Sequence, residues 1–207
     1  MTPRDRVTGV ILAGGRSRRM GGRDKGLMRL AGRPLIEYVI TALRPQVDHL
    51  VINANRNLDA YAAYGCRVVA DAIDGYLGPL AGIASAMLVA RTQYVLAVPC
   101  DCPFLPRDLA KRMLDAIKRE RVEVCVAHDG RRIQPVFVLL RRDLAQDLLE
   151  DLNSGACKAE LWVKSRRFAP ADFSDDPWAF WNINTPQDRT AATKKIRTLA
   201  VKKSLMA

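Results

Sequence analysis

Five glycines and five basic side chains fall between Gly14 and Gly26, in the run Gly14-Gly15-Arg16-Ser17-Arg18-Arg19-Met20-Gly21-Gly22-Arg23-Asp24-Lys25-Gly26. An apolar segment, Val10 to Ala13, leads into it. Glycine has no Cβ, so backbone N–H groups in such a loop can close around phosphate oxygens. Lysine and arginine then supply the compensating charge. The spacing is not that of a P-loop, because Lys25 is followed by Gly26 and stands three residues after Gly22. Nor does it fit G-x-G-x-x-G. A solvated basic loop would have the same composition. Its place directly after a buried-looking strand favours a site, since ligands of open α/β sheets bind beyond the carboxyl ends of strands.

Two further constellations could do chemistry. Tyr94 to Val98 is an apolar strand that runs into Pro99-Cys100-Asp101-Cys102-Pro103. A carboxylate at that point suits a divalent cation such as Mg²⁺, or it caps a turn. Near the other end stands Asn182-Ile183-Asn184-Thr185-Pro186-Gln187-Asp188. Thr185 with Asp188 reads as a capping box, which accounts for Thr185 and Pro186. It leaves Asn182 and Asn184 unexplained, two amides on one side of an extended segment. Asn53 ends a predicted strand, Asp48 to Ala54, where it could cap the following turn or enter a site. Asp71 follows a short strand, Arg67 to Ala70. Gly82 lies inside a helix at a cost of about 1 kcal/mol relative to alanine. A ligand, a neighbouring backbone or close packing on the sheet would explain it. The two histidines, His49 and His128, form no metal cluster or triad.

These blocks carry a resemblance. Leu12-Ala13-Gly14-Gly15, Arg18-Arg19-Met20-Gly21-Gly22 and Asp24-Lys25 resemble the signature of the molybdenum cofactor guanylyltransferases. Gly78-Pro79-Leu80-Ala81-Gly82, Cys100-Asp101-Cys102-Pro103 and the Asn182 to Asp188 block continue it in order, over roughly residues 8 to 190. The resemblance implies transfer of GMP from GTP to the terminal phosphate of molybdopterin, or Mo-molybdopterin, with Mg²⁺ as cofactor and Mn²⁺ as its substitute. It implies Lys25, Asp101 and Arg19 as catalytic residues, with Asp101 the metal ligand. The nucleotide would lie against Leu12, Ala13, Gly14, Gly15, Gly22, Lys25, Asn53, Asp71, Pro79, Leu80, Gly82 and Asp101. The acceptor would meet Asn182 and Asn184. Implied protein partners are molybdenum cofactor delivery proteins and molybdoenzyme apoproteins, with the chain a monomer or weak oligomer. A cytidylyltransferase on the same pterin, or a sugar-phosphate nucleotidyltransferase, is the near alternative.

Positioning these groups requires a sheet whose strands end together. At 207 residues and 49% hydrophobic, the chain suits one α/β domain with a sizeable core. The resemblance makes it a single-domain three-layer sandwich, with a mostly parallel Rossmann-like sheet and helices on both faces. Residues 1–190 form the nucleotidyltransferase domain, with a nucleotide-binding half at about 7–105 and an acceptor half at about 106–190; 191–207 form a basic tail. Further expectations are a helix from Pro34 to Leu43, a helix from Leu105 to Arg119, strands at Val122 to Ala127 and Arg166 to Ala169, and Pro135 at a sheet edge or strand entry. No apolar run approaches the roughly 20 residues of a membrane span. The N-terminus lacks a signal-peptide pattern. Five cysteines, an odd number without C-x-x-C spacing, read as reduced cytoplasmic thiols.

The net charge of +11 is local. Arg16 to Arg33 holds seven basic residues and one acid, and Arg189 to Ala207 holds six basic residues and none. The rest of the chain is close to neutral. A non-catalytic module binding nucleic acid would interleave aromatic platforms with its basic residues. Neither segment contains an aromatic residue.

Overall fold

The computed structural model describes residues 6–15, 24–73, 78–155 and 158–204. Strand β1 (Val7–Leu12) alternates between two cores: Val7 and Ile11 face one side of the sheet, Val10 and Leu12 the other. The short strands β2 (Arg29–Leu30) and β3 (Arg33–Pro34) form a hairpin, turning through Ala31 and Gly32, both at positive φ. Helix α1 (Leu35–Leu43) then buries Leu35, Ile36, Val39 and Leu43. Strand β4 (His49–Asn53) is followed by α2 (Leu58–Ala62), a single helical turn and a half that the residue pattern does not announce. Next come β5 (Arg67–Val69), α3 (Pro79–Val89), β6 (Tyr94–Pro99) and α4 (Leu109–Glu120). The second half adds β7 (Val124–His128), β8 (Ile133–Arg141), α5 (Ala145–Asn153), α6 (Ala159–Lys164), β9 (Phe168–Asp172) and α7 (Pro186–Ser204).

The central sheet has seven strands in the order β5-β4-β1-β6-β8-β7-β9. Only β8 runs against the rest. β1, β4 and β6 therefore end at one edge, and the register aligns Leu12 with Asn53 and with Pro99. α1, α2 and α4 bury their apolar faces on one side, with Tyr61 and Met113 fully enclosed. α3, α5 and α6 cover the other side through Ile83, Met87, Leu148 and Trp162. A third, smaller core of Leu30, Leu35, Ile183 and Ala192 seats α7 on the β2–β3 hairpin.

Several boundaries differ from expectation. β7 starts at Val124, because Val122 is still part of the α4 exit, where its N–H bonds the Ile117 carbonyl. β9 begins at Phe168 and continues to Asp172, pairing in parallel with β7. Pro135 lies at the entry of β8, as its third residue, although that strand is flanked on both sides and is not an edge. The sheet accommodates it with a bulge: Val126 faces Val138, yet Ala127 faces Gln134, so residues 135–137 drop out of the β7 ladder. β6 pairs with β8 only from Val138 onward, so the missing proline N–H interrupts no bond. Residues 191–204 continue α7, and Ala192 in that stretch is buried, so the line at residue 190 falls inside one helix.

Candidate active site

A cavity of about 520 Å³ opens at the shared edge of β1, β4 and β6. Leu12 to Gly15 pass across it, Asn53 and Asp71 line it beyond β4, and Pro99, Cys100 and Asp101 line it beyond β6. Gly78 and Pro79, at the start of α3, close one wall. The β8 bulge sends Val136 into the opposite side.

Lys25 and Asp101 meet in this cleft. The Lys25 ammonium donates to Asp101 Oδ2 at 2.9 Å and to Asn184 Oδ1 at 2.5 Å. Both members of the ion pair are largely buried, with side chains 20% and 12% exposed. Three remote parts of the sequence thus converge on one nitrogen. The segment carrying the amides is tied down separately: the Ile183 N–H bonds the Asp101 carbonyl at 3.0 Å. Asn182 Oδ1 accepts from the Cys102 thiol. Just before it, Phe180 adopts φ +66°, a conformation costly for a bulky residue. Edge-on contacts with Phe137 and Phe173, at 4.6 and 5.3 Å between ring centres, hold it there. Thr185 and Asp188 do form the capping box: the Asp188 carboxylate accepts from the Asn184 and Thr185 N–H groups, and Thr185 Oγ1 accepts from the Asp188 N–H. Burial raises the Asp188 pKa, but these bonds outweigh it and hold the carboxyl below its ordinary value.

The other end of the cleft is an amide–carboxylate cluster. Asn53 Nδ2 donates to Asp71 Oδ1 at 2.8 Å, and Asn55 Nδ2 donates to Asp71 Oδ2 at 2.7 Å. Asn55 returns its carbonyl to the Asp71 N–H at 2.8 Å. Asn55 escaped the sequence reading, although Asn53-Ala54-Asn55 repeats the alternation seen at Asn182 and Asn184. Asp24, named in the signature block with Lys25, has no role assigned from sequence. Its carboxylate lies behind Lys25, away from the cleft, and accepts from Tyr61, Asn57 and the Gly26 N–H.

Two expected nucleotide contacts are reassigned. Leu80 is buried in the apolar core beside Val10 and Ile83, because it points from α3 onto the sheet and not into the cleft. Gly82 is kept small by a protein group: a Cβ there would lie 2.1 Å from Asn53 Oδ1. Pro79, Gly14, Gly15 and Asp71 line the cavity. Arg19 and Gly22 lie outside the described residues.

The cysteines beside Asp101 are not nucleophiles. Burial, and then the Asp101 charge, push both thiols well above the ordinary range, so neither ionises at neutral pH. Among the described residues, no three His, Cys, Asp or Glu side chains gather as a metal site. One carboxylate is nevertheless enough for a divalent ion that takes its remaining ligands from substrate phosphates and water. Asp101 fits that role, since its Oδ2 already holds a cationic group inside the cleft.

Residues 9–167 match the model of the MobA-like NTP transferase domain. A molybdenum cofactor guanylyltransferase of Shewanella sediminis is 46% identical over 190 residues, covering 92% of this chain and 97% of that one. Its counterpart in Shewanella sp. strain MR-4 is 48% identical over 190 residues, with 92% and 96% covered. Among solved structures, the molybdopterin-guanine dinucleotide biosynthesis protein A of Archaeoglobus fulgidus superposes with a TM-score of 0.77. That likeness spans 92% of this chain and 99% of that one at 20% identity, and it bears on the fold.

Proposed function

The chain belongs to the molybdenum cofactor guanylyltransferases, within the MobA-like NTP transferase family, and from that membership we propose how its cleft serves the reaction. The reaction moves GMP from GTP to the terminal phosphate of molybdopterin, giving molybdopterin guanine dinucleotide and pyrophosphate. An acceptor phosphate oxygen bonds to the α-phosphorus. The bond from that phosphorus to the bridging oxygen breaks, and pyrophosphate leaves with the electron pair. The attacking oxygen is already anionic at neutral pH, so no protein nucleophile and no proton acceptor are needed. The work is positioning, plus positive charge where negative charge gathers.

Lys25 supplies that charge. Its ammonium has three donors, of which Asp101 and Asn184 take two, leaving one for a departing phosphate oxygen. Arg19 adds a second cation from the glycine loop. Asp101 would hold Mg²⁺, or Mn²⁺ in its place, which would supply positive charge to offset that of the phosphates. The backbone of Leu12 to Gly15 runs beneath the nucleotide, Asn53 and Asp71 recognise its base or ribose, and Pro79 packs beside it. Asn182 and Asn184 receive the acceptor. The product passes to delivery proteins or molybdoenzyme apoproteins, and the chain works in the cytoplasm as a monomer or weak oligomer.

The observation that carries this reading is the Lys25–Asp101 pair inside a cleft at the ends of β1 and β6, with Asn184 on the same ammonium. Asp101→Asn should lower turnover by about 10²–10³-fold, the range seen when a single transition-state contact is lost. Its thermal midpoint should stay near that of the parent. Near-normal metal-dependent turnover in this variant would overturn the assignment of Asp101. Pyrophosphate release measured with molybdopterin and each of GTP, CTP and ATP should favour GTP, and preference for CTP would defeat the guanylyl reading.

A further inference from the structure

Lys25 is gripped from behind. The Asp24 side chain is 7% exposed and takes no part in lining the cleft. Its Oδ1 accepts from the Tyr61 hydroxyl and from the Gly26 N–H at 3.2 Å. Its Oδ2 accepts from Asn57 Nδ2 at 2.9 Å and faces the Arg56 guanidinium at 3.6 Å. Tyr61 comes from α2 and is fully buried. That burial raises its hydroxyl pKa, so the group remains an O–H donor. Gly26, on the other side of Lys25, closes on the same hydroxyl: a Cβ at Gly26 would sit 2.5 Å from the Tyr61 oxygen. The residues flanking Lys25 are therefore both packed against one buried O–H group.

The backbone around Lys25 is fastened as well. The Lys25 carbonyl accepts from the Met28 N–H at 3.1 Å, and the Gly26 carbonyl accepts from the Ile36 N–H at 3.0 Å. With both neighbours fixed, the remaining freedom is in the lysine side chain, which reaches forward to Asp101 and Asn184. A four-carbon stem ordinarily leaves its charge free to wander. Anchoring its base in this way narrows where the ammonium can go.

We propose that Asp24 and Tyr61 are positioning residues for the reaction: through Gly26 and the backbone, they set where the Lys25 ammonium stands relative to the transferred phosphates. This rests on the reading that Lys25 acts on those phosphates. The end of β4 and the segment that follows it have two duties on this view. Asn53 and Asn55 hold Asp71 at one end of the cleft, while Arg56, Asn57 and Tyr61 hold Asp24 behind the other.

The test is a double-mutant cycle on Tyr61→Phe and Lys25→Ala, read as kcat and KM at varied GTP and molybdopterin. Tyr61→Phe keeps the ring and loses only the hydroxyl. It should lower kcat by roughly 10- to 100-fold, as a small misplacement of a catalytic group does, with the KM for molybdopterin unchanged. In the Lys25→Ala background the same change should cost almost nothing further, since its effect passes through the lysine. Parent-like kcat for Tyr61→Phe, or an equal loss in both backgrounds, overturns the proposal. Near-normal turnover of Lys25→Ala alone would bring down the parent reading, and this one with it. If Tyr61→Phe fails to fold, Asp24→Asn enters the same cycle with the same criteria, since it keeps the shape and loses the charge.

Discussion

At the scale of single residues, the site works by close approach. Asn53 can lie across to Asp71 only because α3 has a glycine opposite it, with no room for a methyl group. Gly82→Ala would gain about 1 kcal/mol on helix propensity alone. It should instead weaken nucleotide binding, because the new Cβ displaces the Asn53 carbonyl and disturbs its bond to Asp71. Losing a hydrogen bond to a charged group is worth about 1.5–3 kcal/mol, or roughly a 10- to 100-fold rise in Kd by calorimetric titration of GTP. Unchanged affinity would show that the amide has no part in holding the nucleotide. Residue types at this scale were readable where the chemistry is unusual for its setting. Lys25 and Asp101 stood out because a carboxylate after an apolar strand and a lysine after glycines each invite a ligand. Asp24 and Asn55 did not, because ordinary turn chemistry accounts for either one in sequence. Leu80 came in with the resemblance, which names Pro79 and Leu80 together; one helical step separates a cleft-lining position from a core position, and Leu80 falls on the core side.

At the scale of elements, α7 depends on its cap. The Asp188 carboxylate holds the Asn184 and Thr185 N–H groups, and those bonds also fix the backbone that carries the acceptor-side amides. Its folded pKa is lowered, so its contribution is complete above the ordinary carboxylate range and is lost as pH falls through the lower folded value. Asp188→Asn should therefore reduce the thermal midpoint at neutral pH by an amount worth about 1 kcal/mol. The gap between variant and parent should close on acidification, as read from melting curves at stepped pH. A gap that persists at the acid end would assign the cap to shape and not charge. Most strands and long helices were legible in the sequence because their apolar spacing matches their burial, as in α4 with Leu109, Met113 and Ile117. α2 was not, since five residues give too little periodicity to detect. The β8 bulge was hidden because a proline inside a flanked strand is admissible only through a pairing shift, which is a property of two strands together.

At the scale of the whole molecule, the core on the α1, α2 and α4 side of the sheet seals the thiols. Cys102 and Cys125 are fully buried, and burial pushes the Cys125 thiol up to about 12. In a chain carrying Cys66→Ser, Cys100→Ser and Cys157→Ser, these two should react with a disulfide reagent only as fast as the protein unfolds globally. Reaction that is much faster, under conditions where the fold is intact by circular dichroism, would mean that one layer opens on its own. The single α/β domain was legible because composition and length allow it, yet the meeting of distant segments was not. Lys25, Asp101 and Asn184 come from the start, the middle and the far end of the sequence. A polypeptide leaving the ribosome thus cannot assemble this trio until its residue 184 has emerged and the last helix has found the hairpin. A chain ending anywhere upstream would leave the Lys25 ammonium with Asp101 but without the Asn184 amide, so the cleft is completed by the last part of the chain to arrive.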